Sequence, residues 1–104
     1  MTDVRAKLAE LGLTIPVAAK PIAAYVPAVR TGNLVFTAGQ LPLVDGKISL
    51  TGKVGGAVSV EEAKALAQIC ALNCLGAVET VANVDDIVKI VRGSWICKRS
   101  ARLY

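Results

Sequence analysis

The capping box Ser59-Val60-Glu61-Glu62 and the run behind it constrain the fold more than any other stretch of this chain. A serine at a helix N-cap and a glutamate three residues later satisfy each other's backbone donors, so the segment announces a helix start. Ala63, Leu66, Ala67, Cys70, Cys74, Ala77, Val78 and Val81 then recur at the three-and-four spacing of one helix face, which predicts a helix to about Asn83. That face is built mostly of small residues and suits a helix lying flat on a sheet. In a chain of 104 residues it is the largest packing surface available, and the other elements must be arranged around it.

The segments ahead of the helix read as strands. Residues 25–30 begin one, interrupted by Pro27, which suits a strand start or an edge. Thr31-Gly32-Asn33 supplies turn chemistry, and residues 34–38 follow as a second strand rich in β-branched and aromatic side chains, giving a hairpin. Gly39-Gln40-Leu41-Pro42 leaves that strand by a bend. Asp45-Gly46 marks a turn between residues 41–44 and 47–50, and Gly52, Gly55 and Gly56 signal irregular backbone beyond it. After the helix, Val84-Asp85-Asp86 is a connector and residues 87–91 alternate as a strand. At the start, residues 2–11 read as a short helix capped by Thr2, with Val4, Leu8 and Leu11 in one stripe and Gly12 as the stop. Residues 13–24, with Pro16 and Pro21, form an extended connector. The order hairpin, strand, long helix, strand predicts an α+β layer with one sheet face covered by the helix.

Composition narrows the chemistry. The chain has no histidine, so a Ser-His or Cys-His nucleophile pair, an imidazole metal ligand and a histidine proton shuttle are all excluded. Its three cysteines cannot close a four-cysteine zinc site, and an odd count predicts reduced thiols in a cytoplasmic setting. Cys70 and Cys74 lie one turn apart on the apolar helix face, where small buried hydrophobes are the ordinary reading. The longest uncharged apolar stretch, residues 65–78, contains Gln68 and Asn73 and falls short of the roughly 20 residues of a membrane-spanning helix. The first five residues carry an early acid and lack the apolar run of a secretory signal.

The net charge of +4 is unevenly placed. Residues 1–91 balance Arg5, Lys7, Lys20, Arg30, Lys47, Lys53, Lys64 and Lys89 against Asp3, Glu10, Asp45, Glu61, Glu62, Glu79, Asp85 and Asp86. The excess lies in Arg92, Lys98, Arg99 and Arg102. A neutral body with a short basic end argues against nucleic acid as a partner.

From Ile22 through Pro42 the chain resembles the RidA (YjgF) family, known also as L-PSP endoribonuclease-like proteins. The resemblance is carried by the tyrosine before the first strand, the Gly32-Asn33 turn, and a strand ending in Gly39-Gln40 followed by Leu41 and Pro42. The capped helix and Asp86-Ile87-Val88-Lys89 follow in family order, so it covers about residues 20–92. The opening helix is similar to that of a longer, divergent branch. The resemblance implies a chorismate-mutase-like fold, a homotrimer with clefts between subunits, and hydrolysis of reactive enamines and imines to 2-keto acids and ammonia without metal or cofactor. It implies substrate-binding positions at Tyr25, Ala38 and Gly39. Ala38 departs from the serine of typical members, so a hydroxyl beside the ligand is missing.

The resemblance stops near residue 92. The family's carboxylate-binding arginine and water-positioning glutamate lie on later strands, and nothing in residues 93–104 matches them. Catalytic residues are therefore unassigned, and the chain reads as a C-terminally truncated member: a family domain over residues 1–92 and a basic tail over residues 93–104. Residues 95–104, back-translated and read one base later, are compatible with Gly-Phe-Ala-Ser-Ala-Pro-Pro-Gly-Phe-Thr, which follows the family's order. A frameshift is the expectation, and the DNA sequence around the Trp95 codon tests it. Two other readings stand beside enamine hydrolysis. One is a non-catalytic ligand-binding or assembly protein. The other is RNA binding or cleavage through Trp95, Lys98, Arg99 and Tyr104.

Overall fold

Asp3 opens the first helix of the chain: in a computed structural model, which describes residues 3–18 and 24–97, its carboxylate accepts the Ala6 N–H at 2.9 Å. Helix α1 spans Val4–Glu10. Asp3 therefore takes the capping role expected of Thr2, which lies outside the described residues, and the helix is shorter than residues 2–11. It ends where expected, at Gly12, whose φ of +73° closes the turn. Residues 13–18 of the connector carry no regular structure, and residues 19–23 lie outside the described ones.

Strands β1 (Ala28–Thr31) and β2 (Leu34–Thr37) pair antiparallel, with Val29 opposite Phe36 and Thr31 opposite Leu34. Gly32 supplies the positive φ that a two-residue hairpin turn needs at its first position. Strands β3 (Leu43–Val44) and β4 (Lys47–Ile48) form a second, shorter hairpin. Asp45 and Gly46 both have positive φ, the type I′ geometry that Asp-Gly favours. Each expected strand is trimmed at its outer ends, because pairing lasts only as far as the partner strand does.

Helix α2 spans Val60–Val78 with the capping box formed: the Glu62 N–H donates to Ser59 Oγ at 3.1 Å and the Ser59 N–H to Glu62 Oε1 at 3.0 Å. These bonds hold the Glu62 carboxyl below its ordinary pKa, the backbone N–H of Ser59 first and its hydroxyl second. The helix packs on β2 and β3. Every residue of the expected stripe is at least half-buried, as are Leu72, Leu75 and Gly76 beside it. It stops at Val78, short of Asn83, because tighter bonds replace the helical ladder: Thr80 N–H to Ala77 O, Val81 N–H to Val78 O, and Thr80 Oγ1 to Ala77 O at 2.7 Å. A 3-10 turn at Val84–Asp86 follows, capped by Asn83, whose side chain accepts the Asp85 N–H.

Residues 87–91, expected as a strand, pair with nothing among the described residues. Val88 is 89% exposed and Ile90 65%. An alternating sequence makes a strand only where a neighbouring edge completes its ladder, and β1 and β2 form a sheet of two. The core is made of Ala28, Val54, Val58, Ala77 and Val84. The architecture is α+β: two small antiparallel hairpins, one long helix laid across them, and α1 fastened at the far end of that helix.

Candidate functional site

The hairpin register sorts side chains by face. Directly opposite residues share a face and successive ones alternate, so Ala28, Arg30, Val35 and Thr37 lie on one side of the sheet. This side meets α2: Ala28 is buried, and Thr37 Oγ1 donates to Cys74 Sγ at 4.0 Å. Val29, Thr31, Leu34 and Phe36 lie on the other side, where Val29 is 52%, Leu34 46% and Phe36 59% exposed. The outer sheet face is thus apolar and uncovered.

Ala38 belongs to that outer face. The Ala38 N–H donates to Pro27 O at 2.8 Å, which extends the pairing one step past β2 and puts Ala38 in line with Phe36. Tyr25 lies ahead of the bend at Pro27, outside the strand pairing, with its side chain about half exposed. Of the three sequence-derived positions, Ala38 and Gly39 stand together at the open end of the hairpin, and Tyr25 lies three residues ahead of β1. Beyond Ala38 the chain bends, and Gln40 Nε2 donates back to Ala38 O at 3.2 Å, spanning Gly39.

Gly39 is open in both senses that matter. Its φ lies outside the left-handed region, and a Cβ built on it meets no heavy atom within 4 Å. Neither backbone conformation nor crowding in this chain demands glycine at this position. Gly76 is the opposite case: a Cβ there would stand 2.5 Å from the Pro16 carbonyl oxygen, so glycine lets the connector cross α2 closely.

The segment after the bend is held by a residue the sequence reading passed over. Asn73 Nδ2 donates to Leu41 O at 2.9 Å and to Leu43 O at 3.0 Å, using both amide protons. The available signal was a carboxamide set among the uncharged residues 65–78, with no apolar reason to be there.

Elsewhere one cluster of charged groups is engaged in structure. Arg5 forms an ion pair with Glu79 and another with Asp85, and its Nη1 also donates to Asn83 Oδ1 at 2.9 Å. Its backbone N–H donates to Asp85 Oδ1 at 3.0 Å, which together with the guanidinium holds the Asp85 carboxyl below its ordinary pKa. An open groove of about 630 Å³ runs beside this cluster, between α1, the connector around Pro16 and the end of α2 at Gly76 and Thr80. It does not reach Tyr25, Ala38 or Gly39. Burial pushes the Cys70 thiol up, and nearby Cys74 adds to the shift, so the thiolate that a nucleophile or metal ligand needs is disfavoured. Among the described residues no three His, Cys, Asp or Glu side chains converge as metal ligands, and no helix is long and apolar enough to cross a membrane.

Known proteins share this arrangement. Residues 16–92 match the family model of Endoribonuclease L-PSP. Protein TCP17 of Trypanosoma cruzi is 33% identical over 90 residues, covering 86% of this chain and 56% of its own length. The crystal structure of Atu1372 from Agrobacterium tumefaciens, a protein of unknown function, superposes with a TM-score of 0.60 at 42% identity, over 73% of this chain and 44% of that one. A candidate endoribonuclease from Shewanella oneidensis superposes with a TM-score of 0.66 at 28% identity, over 72% and 50%. The chain spans about half the length of the relatives it matches. With the family model matched over residues 16–92 and a relative 33% identical over 86% of this chain, the chain belongs to the endoribonuclease L-PSP (RidA, YjgF) family.

Proposed function

We propose that the chain binds small 2-imino, enamine or 2-keto acids at the hairpin end formed by Tyr25, Ala38 and Gly39, and that its parent activity is the hydrolysis of reactive enamines and imines to 2-keto acids and ammonia. The observation that carries this reading is Gly39. A glycine that neither its φ nor its neighbours require leaves space and an unshielded backbone, and Tyr25 ahead of the same hairpin is half-exposed. A small planar ligand fits such a position, with the phenol as wall and the backbone as hydrogen-bonding edge.

Hydrolysis asks for two further groups, a cation to hold the substrate carboxylate and a base or acid to activate water. Tyr25, Ala38 and Gly39 offer a phenol, a methyl and bare backbone, so binding with little turnover is the expected behaviour of this chain. The test supplies an enamine generated in situ from an amino acid and follows 2-keto acid and ammonia release, alongside titration with 2-oxobutanoate. Binding without acceleration is expected. Saturable hydrolysis by the purified chain would overturn the non-hydrolytic part, and no binding at all would overturn the site.

The proposed assembly is a homotrimer whose subunits meet through the outer sheet face, supported by exposed Val29, Leu34 and Phe36 beside the ligand position. The proposed setting is the cytoplasm, supported by three free cysteines. Residues 1–92 are taken as the family domain and residues 93–104 as a basic tail. The family's name favours RNA as a second ligand class. If the tail supplies that affinity, RNA binding disappears when residues 93–104 are deleted; binding that survives the deletion assigns it to the body instead.

A further inference from the structure

The bend over residues 38–42 has a single ladder bond, from the Ala38 N–H to Pro27 O, yet it carries the proposed ligand position. Its shoulders are gripped from one side by consecutive residues of α2. Cys74 Sγ receives the Thr37 hydroxyl just before the bend, at 4.0 Å, the far limit for sulfur. Asn73 donates one amide proton to Leu41 O and the other to Leu43 O just after it. Within the bend, Leu41 O also accepts the Leu43 N–H at 2.8 Å, and Gln40 ties itself to Ala38 O. Asn73 thus supplies the two strongest bonds by which the helix holds this segment. Asn73 is half-buried beside the apolar stripe, and both of its amide protons are used.

We propose that Asn73 is a positioning residue: by fixing Leu41 and Leu43 to the helix it sets where the Ala38–Gly39 backbone stands, and so the geometry offered to a ligand there. The proposal rests on the reading of Gly39 as ligand-side. Asn73 itself touches no ligand and acts through the bend. Removing its donors leaves two carbonyls without their side-chain partner and frees the shoulder of the bend, while the capping box and the hairpin register stay intact.

The test uses the full 104-residue chain, labelled with nitrogen-15, and reads the Gly39 and Gln40 amide resonances together with the affinity for 2-oxobutanoate. Asn73→Asp keeps the shape but turns an acceptor toward two carbonyl oxygens. It is expected to displace both resonances and to weaken binding about tenfold. Ser59→Ala destabilises the same helix from its other end and is expected to lower Tm while leaving resonances and affinity in place. Resonances in Asn73→Asp that coincide with those of the unaltered chain overturn the proposal, as does an equal displacement in Ser59→Ala. Where Asn73→Asp fails to fold, Asn73→Ala removes the donors without adding charge and is read in the same way. If the unaltered chain binds no 2-oxobutanoate, the ligand reading of Gly39 falls, and the two resonances still decide the role of Asn73.

Discussion

At position 39 the side chain is absent where neither strain nor crowding forbids one, and this makes a sharp experiment possible. Gly39→Val adds bulk into open space, so Tm is expected to change by less than the equivalent of about 0.5 kcal/mol. Binding of 2-oxobutanoate is expected to be lost, as measured by titration calorimetry on the same preparation. Gly76→Ala should behave in reverse, leaving the ligand position alone and costing about 1–3 kcal/mol in urea unfolding, because its new methyl meets the Pro16 carbonyl. Tyr25, Ala38 and Gly39 are proposed from one short stretch of sequence whose order is distinctive. Asn73 was not legible in the sequence, because its partners Leu41 and Leu43 lie 32 and 30 residues away and a carboxamide in an apolar run does not say which carbonyls it will meet.

Among the elements, legibility followed how local the determining interaction is. The start of α2 was readable because the capping box is complete within four residues, and both hairpin turns were readable from Gly32-Asn33 and Asp45-Gly46. Ser59→Ala should cost about 1 kcal/mol, seen as a lower urea midpoint at unchanged slope. The end of α2 was not readable, since Thr80 and the cap at Asn83 draw the chain into tighter turns while Glu79 leaves the helix to accept the Val84 N–H and pair with Arg5. Residues 87–91 carry a strand pattern with no edge to join, and pairing is a property of two segments. Acid should loosen both helix starts at once. Glu62 and Asp85 have depressed pKa values in the fold, so their contributions are present above the ordinary carboxylate range, about pH 4, and are lost as pH falls through the lowered values. Urea midpoints measured from pH 6 to pH 2 should fall over that window, and less in Glu62→Gln than in the unaltered chain.

Taken whole, the molecule covers one side of its main sheet and leaves the other bare. A fold of this size that exposes Val29, Leu34 and Phe36 together is expected to associate through them. If the proposed trimer forms through the outer face, Phe36→Lys should shift its sedimentation to that of a monomer. A trimer that persists in Phe36→Lys would place the contact elsewhere. The +4 charge has no part in that face, which contains no acid and no base among Val29, Thr31, Leu34 and Phe36. Association should therefore tolerate salt, unlike binding to nucleic acid.

The Arg5 cluster carries a kinetic consequence. Its backbone N–H and guanidinium meet Asp85 across 80 residues of chain, so α1 and the turn at Val84–Asp86 must find each other over a much longer loop than either hairpin closes. Closing a loop that long is favoured only after the intervening chain is already ordered. The N-terminal helix should accordingly dock late, on a body that has formed without it. Arg5→Ala is then expected to speed unfolding and leave the refolding rate nearly unchanged in stopped-flow measurements, the signature of an interaction absent from the folding transition state.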